Sequence, residues 1–193
     1  GLGDVYKRQS KRHLMNNMFN SSSKPFYQSA ICMGLGAIPE DAYTGFAIRM
    51  FEERGKRIDA CVVEDIYRQF NGCTWFVQMM MNELFSLTAS GECCRMDKVE
   101  TAWHNVIQMQ EGSYKDLLSR LAPKQKIVLQ AIAREGEARG ITSSAFMKKY
   151  NLPSASSVQA ALKPLLKSDL VTQEEDVYRV YDYFFAEWLK RMY

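Results

Sequence analysis

The residues of this chain best suited to chemistry lie between Lys148 and Lys167, and they are binding groups rather than catalysts. Lys148 and Lys149, followed by Ser156, Ser157, Gln159, Lys163 and Lys167, supply ammonium, hydroxyl and amide donors that suit phosphate oxygens and base edges. Three features weigh the other way. The helical stretch that carries most of them has no arginine, Pro164 interrupts its pattern, and the nearby turn Glu174, Glu175, Asp176 is acidic where a DNA-facing hairpin would be basic or neutral. Docking to a protein, or within the same chain, is therefore the first reading of this surface and nucleic-acid contact the second.

No complete active site is legible upstream. A phosphate-cradling loop needs glycines before a Lys-Ser or Lys-Thr pair at a helix start, so that backbone N–H groups surround the anion. Neither the Gly34 to Gly36 stretch nor Gly55, Lys56 and Arg57 meets that requirement; the first reads as a loop and the second as a helix stop. His13 and His104 lie in different elements without metal-ligand spacing, and Cys32, Cys61, Cys73, Cys93 and Cys94 form no C-x-x-C pair. The acidic pairs Glu52 with Glu53, Glu64 with Asp65 and Glu174 with Glu175 read as solvent-facing, and the Met79 to Met81 run reads as helical core. No catalytic residue and no metal ligand is expected.

The elements that must position the lysines follow from apolar spacing. A helix starts at Pro39, with Glu40 and Asp41 in its first turn and Tyr43, Phe46, Ala47, Met50 and Phe51 as its apolar face. A second, capped by Asp59, lines up Val62, Val63, Ile66, Tyr67 and Phe70; a third, capped by Thr74, runs to Leu87. A fourth begins after Asp97, a short one spans Tyr114 to Leu121, and Pro123 opens another on which Ile127, Leu129, Ala131 and Ile132 point inward. After these come a short helix at Ala145 to Tyr150, a turn, and a helix from Ala155 to Ser168. Strands at Leu170 to Gln173 and Val177 to Tyr181 follow, and an aromatic helix over Asp182 to Tyr193 bears Phe184, Phe185, Trp188, Leu189 and Met192 on one stripe. Helix, turn, helix, hairpin is the order of a winged helix. The fold class is thus mainly α: a helical bundle over 39–112, then a winged helix-turn-helix domain over 113–193 with a short β-hairpin and a C-terminal helix. So many aromatics cannot stay in water, so the last helix must pack against the hairpin or reach back to the bundle.

With 193 residues, 47% hydrophobic and 24% charged, the chain can bury one substantial core or two small ones. Its net charge of +3 does not announce a nucleic-acid binder unless the positive groups gather on one face. Cysteine usage suits the reducing cytoplasm, and no apolar stretch spans a bilayer, so no membrane partner is expected. Residues 1–9 fit no element and resemble translated sequencing-adapter read-through; they are set aside as non-native, with the authentic protein expected to begin before Ser10. Residues 10–38 read as a junction, basic at first and then rich in Ser, Pro and Gly.

The ordered runs Ser10 to Met15 with Met18 and Phe19, Lys24 to Tyr27, Thr74 to Gln78, Leu152 to Leu162 and Tyr178 to Trp188 resemble the region after the ATPase core in bacterial and archaeal AAA-type ATP-binding proteins of the archaeal-ATPase, STAND-like group. The resemblance covers essentially everything from Ser10 onward. It implies that Ser10 ends the sensor strand after a missing N-terminal ATPase core, that 39–112 is the lid, and that ATP and Mg belong to a full-length P-loop ATPase parent. The loop and acidic strand that hold them are absent from this chain, which alone is expected to be inactive and to bind neither tightly. Ser10, Lys11 and Arg12 are then candidate nucleotide-proximal residues, with a solvated basic turn as the plain alternative. The implied function is to transmit nucleotide state to a protein or DNA partner; the alternatives are a free-standing winged-helix DNA-binding regulator and a protein-docking adaptor.

Overall fold

The computed structural model describes residues 36–192, so Ser10, Lys11, Arg12, the segment 1–9 and most of the junction lie outside the described residues. The first helix, Glu40–Glu52 (α1), takes its first turn from Pro39, whose carbonyl accepts the Tyr43 N–H at 2.9 Å, and it places Glu40 and Asp41 at the positive end of its dipole. It buries Tyr43, Ala47 and Phe51 but leaves Phe46 and Met50 exposed, so its apolar face is narrower than the spacing suggested. Gly55 closes the turn that follows at φ +67°, a conformation costly for a residue with a Cβ, and its carbonyl accepts the Gly91 N–H at 2.7 Å.

Helices Ala60–Gln69 (α2) and Thr74–Leu87 (α3) complete the first layer. Asp59 holds the N-cap position of α2 without capping it through its side chain, because its carboxylate instead accepts the Cys93 thiol at 3.3 Å. Cys73, not Thr74, occupies the N-cap of α3. The chain then forms a parallel pairing absent from the sequence reading, Arg57–Ile58 (β1) with Cys93–Cys94 (β2). Two residues a strand carry no readable alternation, which is why the pairing was invisible. Lys56 and Lys98 hold the end of α3, donating to the Phe85 and Leu87 carbonyls at 2.7 Å each. Cations are favoured at that negative end of the helix.

A 3-10 turn leads into Val99–Ser119 (α4), a single helix of 21 residues and about 31 Å. Two helices were expected here, with a boundary near residue 112. Gly112 has nothing within van der Waals reach of its Cβ position, and the helix runs through it because Val106 and Ile107 before it and Tyr114 and Leu118 after it bury along one side.

The winged helix follows. Pro123–Glu135 (α5) buries Val128, Leu129, Ala131, Ile132 and Ala133, while Ile127 is turned to solvent, contrary to expectation. Ala138–Arg139 (β3), also unforeseen, precedes Ser144–Lys149 (α6) and Ala155–Lys167 (α7). Val171–Glu174 (β4) and Val177–Val180 (β5) form the hairpin, and the three strands make an antiparallel sheet in the order β3-β5-β4. Glu174 faces Val177 across a two-residue turn in which Glu175 takes φ +53°. Helix α7 continues through Pro164 rather than breaking there. Proline removes one donor, and the carbonyl that loses it belongs to Ala160, an exposed residue that water can serve.

The last helix, Tyr183–Met192 (α8), buries Phe184, Phe185, Trp188 and Leu189, with Met192 exposed. It reaches back to the upstream helices as one expectation had it, and it touches the hairpin chiefly through β5, its main support being helical. It packs on α5 of the winged helix and on α4, and its first turn enters an aromatic cluster of the upstream helices. Phe184 lies with its ring centre 5.4 Å from Phe70, 5.7 Å from Phe76 and 5.0 Å from Trp103. Asp182, buried, caps the helix by accepting the Phe185 N–H at 3.0 Å and takes the Tyr114 hydroxyl of α4 at 3.4 Å. Residues 38–192 thus share one continuous core, and none of the described helices is long and apolar enough to cross a membrane.

Candidate nucleic-acid interface

The turn between α6 and α7 is built by backbone chemistry that its sequence supplies. Asn151, at φ +51°, ends α6 while the Leu152 N–H reaches back to the Met147 carbonyl at 2.8 Å and the Asn151 N–H to Lys148. Pro153 then forbids further helix, and Ser154 starts α7 by accepting the Ser157 N–H on its hydroxyl at 3.4 Å. Asp169, at φ +65°, closes the far end of α7 in the same manner as Asn151.

On α7 the residues Val158, Ala161, Leu162 and Leu165 face the core, which leaves Ser156, Gln159, Ala160, Lys163, Pro164 and Lys167 as one exposed stripe. Gln159, Lys163 and Lys167 therefore share a face, with about 16 Å from Ser156 to Lys167 along the axis. The two serines are partly engaged: the Ser156 hydroxyl is 3.0 Å from that of Ser154, and Ser157 lies 3.3 Å from Ser154. Lys124, from the first turn of α5, donates to the Ser157 hydroxyl at 3.5 Å, adding a cation that sequence reasoning missed. Nothing in local sequence links Lys124 to Ser157.

On α6, Lys148 is exposed, but Lys149 is drawn away to Glu135 at 2.7 Å, and the Tyr150 hydroxyl donates to the same carboxylate. These partners, Lys149 first, hold the Glu135 carboxyl below the usual glutamate range; Arg179 does the same for Glu137 at 2.6 Å. A lowered folded pKa contributes stability above the ordinary value of 4.5, and that contribution is lost as pH falls through the folded value. The melting temperature should therefore decline on acidification below pH 4.5, by less in Glu135→Gln, and the difference between the two proteins should narrow near 1 M salt, where the charge attraction is weakened while the Tyr150 hydrogen bond is kept. A melting series in pH and salt checks this.

The arginines of the three-stranded sheet pair with nearby acids on its surface. Arg139 pairs with Asp176 at 2.6 Å, and Arg179 with Glu137 and, at 3.5 Å, with Glu174. Glu175 at the tip joins none of these pairs. Among the described residues no group of three or more His, Cys, Asp or Glu could hold a metal ion, and Cys61, Cys73, Cys93 and Cys94 are free thiols.

Helix, left-handed turn, helix and hairpin are now all in place. Residues 112–191 match the family model described as a probable winged helix domain. Among solved structures the chain is similar to a Walker-type ATPase of Pyrococcus abyssi, with a TM-score of 0.60 and 18% identity over 92% of this chain. At that identity the likeness is one of fold. The match covers 50% of the ATPase, so the chain spans about half its length. No curated protein matches the chain.

Proposed function

We propose that this chain is the helical lid and winged-helix part of an AAA-type ATP-binding regulatory ATPase of the STAND-like kind, and that it turns nucleotide state into the position of the winged helix. The supporting observation is the coupling between its two parts. Helix α4 crosses the expected boundary unbroken, and Phe184 of α8 is fully buried among Phe70, Phe76 and Trp103, so a displacement of the upstream helices carries the winged helix with it. The fold likeness to a Walker-type ATPase of twice the length agrees with an ATPase core that precedes Ser10 and holds ATP and Mg. The described residues offer neither a glycine loop leading into Lys-Ser or Lys-Thr nor an acidic metal cluster, so no hydrolytic step is assigned to them. In this reading Ser10, Lys11 and Arg12 are the nucleotide-proximal candidates, and the positive charge of Lys11 and Arg12 would stabilise the phosphates. Nucleotide shifts the arrangement only as far as its affinities for the two positions differ.

The test is isothermal titration with Mg-ATP on this chain and on the longer gene product. The chain alone should show no micromolar binding, and the longer protein should bind. A micromolar dissociation constant for the chain alone, or no binding by the longer protein, would overturn the reading.

A further inference from the structure

Among the large apolar side chains that the described residues leave exposed, Met96, Met109, Ile127 and Met192 stand on four different elements, and single exposures of that kind are ordinary. Helix α1 is different. Ile38, Phe46 and Met50 are between 37% and 43% exposed, and with the exposed Ala42 they form one row at a spacing of four, from the residue before Pro39 to the last turn. Such a row is the ridge with which one helix packs against another. Phe46 is supported from within by the buried Tyr43, with ring centres 6.1 Å apart, and the Tyr43 hydroxyl is fixed in turn by donating to Gln78 at 3.1 Å.

The adjacent row, Asp41, Gly45 and Arg49, narrows what can cover that ridge. A Cβ at Gly45 would meet only the Arg49 guanidinium, at 3.6 Å, so the backbone of α1 is open to close approach at its middle. Asp41 and Arg49 are both exposed, and neither has an ion-pair partner among the described residues. Eight residues separate them, about 12 Å along the axis, which is too far to pair within one helix.

We propose that α1 is a self-association surface, on which two copies of this chain pair their α1 helices antiparallel about a two-fold axis at Gly45. A residue a given number of positions before the crossing then faces the residue as many positions after it on the second copy. Asp41 meets Arg49 twice, Phe46 meets its own counterpart beside the bare backbone of Gly45, and Met50 lies over the small Ala42. Glu53, the next acid on the row of Arg49, falls opposite Ala37, beyond the start of the other helix, so it opposes no acid of α1. Glu40 is already held by Arg68 at 2.6 Å. Large residues thus meet small ones and unlike charges meet, which is the complementarity a two-fold contact requires of a single surface. The exposed charges set register more than strength, since surface ion pairs contribute little. One helix face per copy covers less than the about 1,200 Å² of a standard interface, so the dimer is weak and forms at high concentration or where copies are brought close. It needs no nucleotide and does not depend on the function proposed above.

Sedimentation equilibrium of the whole chain without nucleotide tests it, with a dissociation constant of about 100 μM expected for a contact of this size. Phe46→Ser, at a partly exposed position, should weaken association about tenfold. Asp41→Lys and Arg49→Glu should each weaken it about fivefold at low salt, because each homodimer then carries two like-charged contacts. An equimolar mixture of these two variants should associate about as tightly as the parent. That restoration is specific to antiparallel pairing, in which position 41 of one copy faces position 49 of the other. Melting curves of each variant establish that the fold is kept. A parent that stays monomeric at about 500 μM overturns self-association and leaves the face to a different occupant. A dimer that Phe46→Ser leaves unchanged overturns this face, and a mixture that associates no better than its components overturns the antiparallel register.

Discussion

Phe184→Ala should lower the melting temperature by about 10 °C. Truncating a fully buried phenylalanine costs about 3–5 kcal/mol, and in a unit of this size each kcal/mol shifts melting by about 2–4 °C. The side chain has no slack around it: Phe70, Phe76, Trp103 and Tyr183 all belong to the same ring cluster. The functional consequence would be larger than the thermodynamic one. With Phe184 gone, the upstream helices and the winged helix retain α4 in common but lose the plug between them, so a single transition should broaden or split. A double-mutant cycle with Phe70→Ala should give a coupling of about 1–3 kcal/mol. Removing residues 183–193 should hurt more still. If Phe184→Ala melts as the parent does, the two parts are not mechanically joined at this point, and transmission through α8 fails with it.

Asp182→Ala should destabilise the protein by about 2–3 kcal/mol in urea denaturation, which is large for a substitution that removes so little volume. The carboxylate caps α8 through the Phe185 N–H, worth about 0.5–2 kcal/mol, and also receives the Tyr114 hydroxyl, so its loss strips a buried donor of an acceptor as well. Tyr114→Phe removes both the donor and its need for a partner and should cost only about 1 kcal/mol. The pair thus ties the start of α8 to the later half of α4, beyond Gly112, and a cycle between the two positions should show coupling. Additive losses would mean that the hydroxyl and carboxylate merely lie close.

The aromatic stripe of α8 and the helix-turn-helix were legible because each is local. Phe184, Phe185, Trp188 and Leu189 repeat at the helical period, and Asn151, Pro153 and Ser154 carry helix-ending and helix-starting chemistry within four residues. The same reasoning put Phe46, Met50 and Ile127 in the core, yet all three are exposed, because a helical period tells which residues share a face but not how wide a stripe the neighbours cover. The interruption read at Pro164 and the boundary placed across Gly112 misled for the opposite reason. Their local penalties are real but small beside the burial of Val158, Leu162 and Leu165, or of Val106, Tyr114 and Leu118, so packing carries each helix through.

The strands β1, β2 and β3 lay beyond reach, since two residues have no period and their partners stand dozens of residues away. For the candidate interface the division is similar. The chain's order of residues declares that Lys163 and Lys167 share a face of one helix and that the hairpin tip is acidic, because both statements depend only on spacing. Which cations remain available is a matter of distance in space. Lys149 is taken by Glu135, Arg139 by Asp176 and Arg179 by Glu137, while Lys124 arrives beside Ser157 from another helix, and every one of these pairings joins residues that only the folded chain brings within a few ångströms.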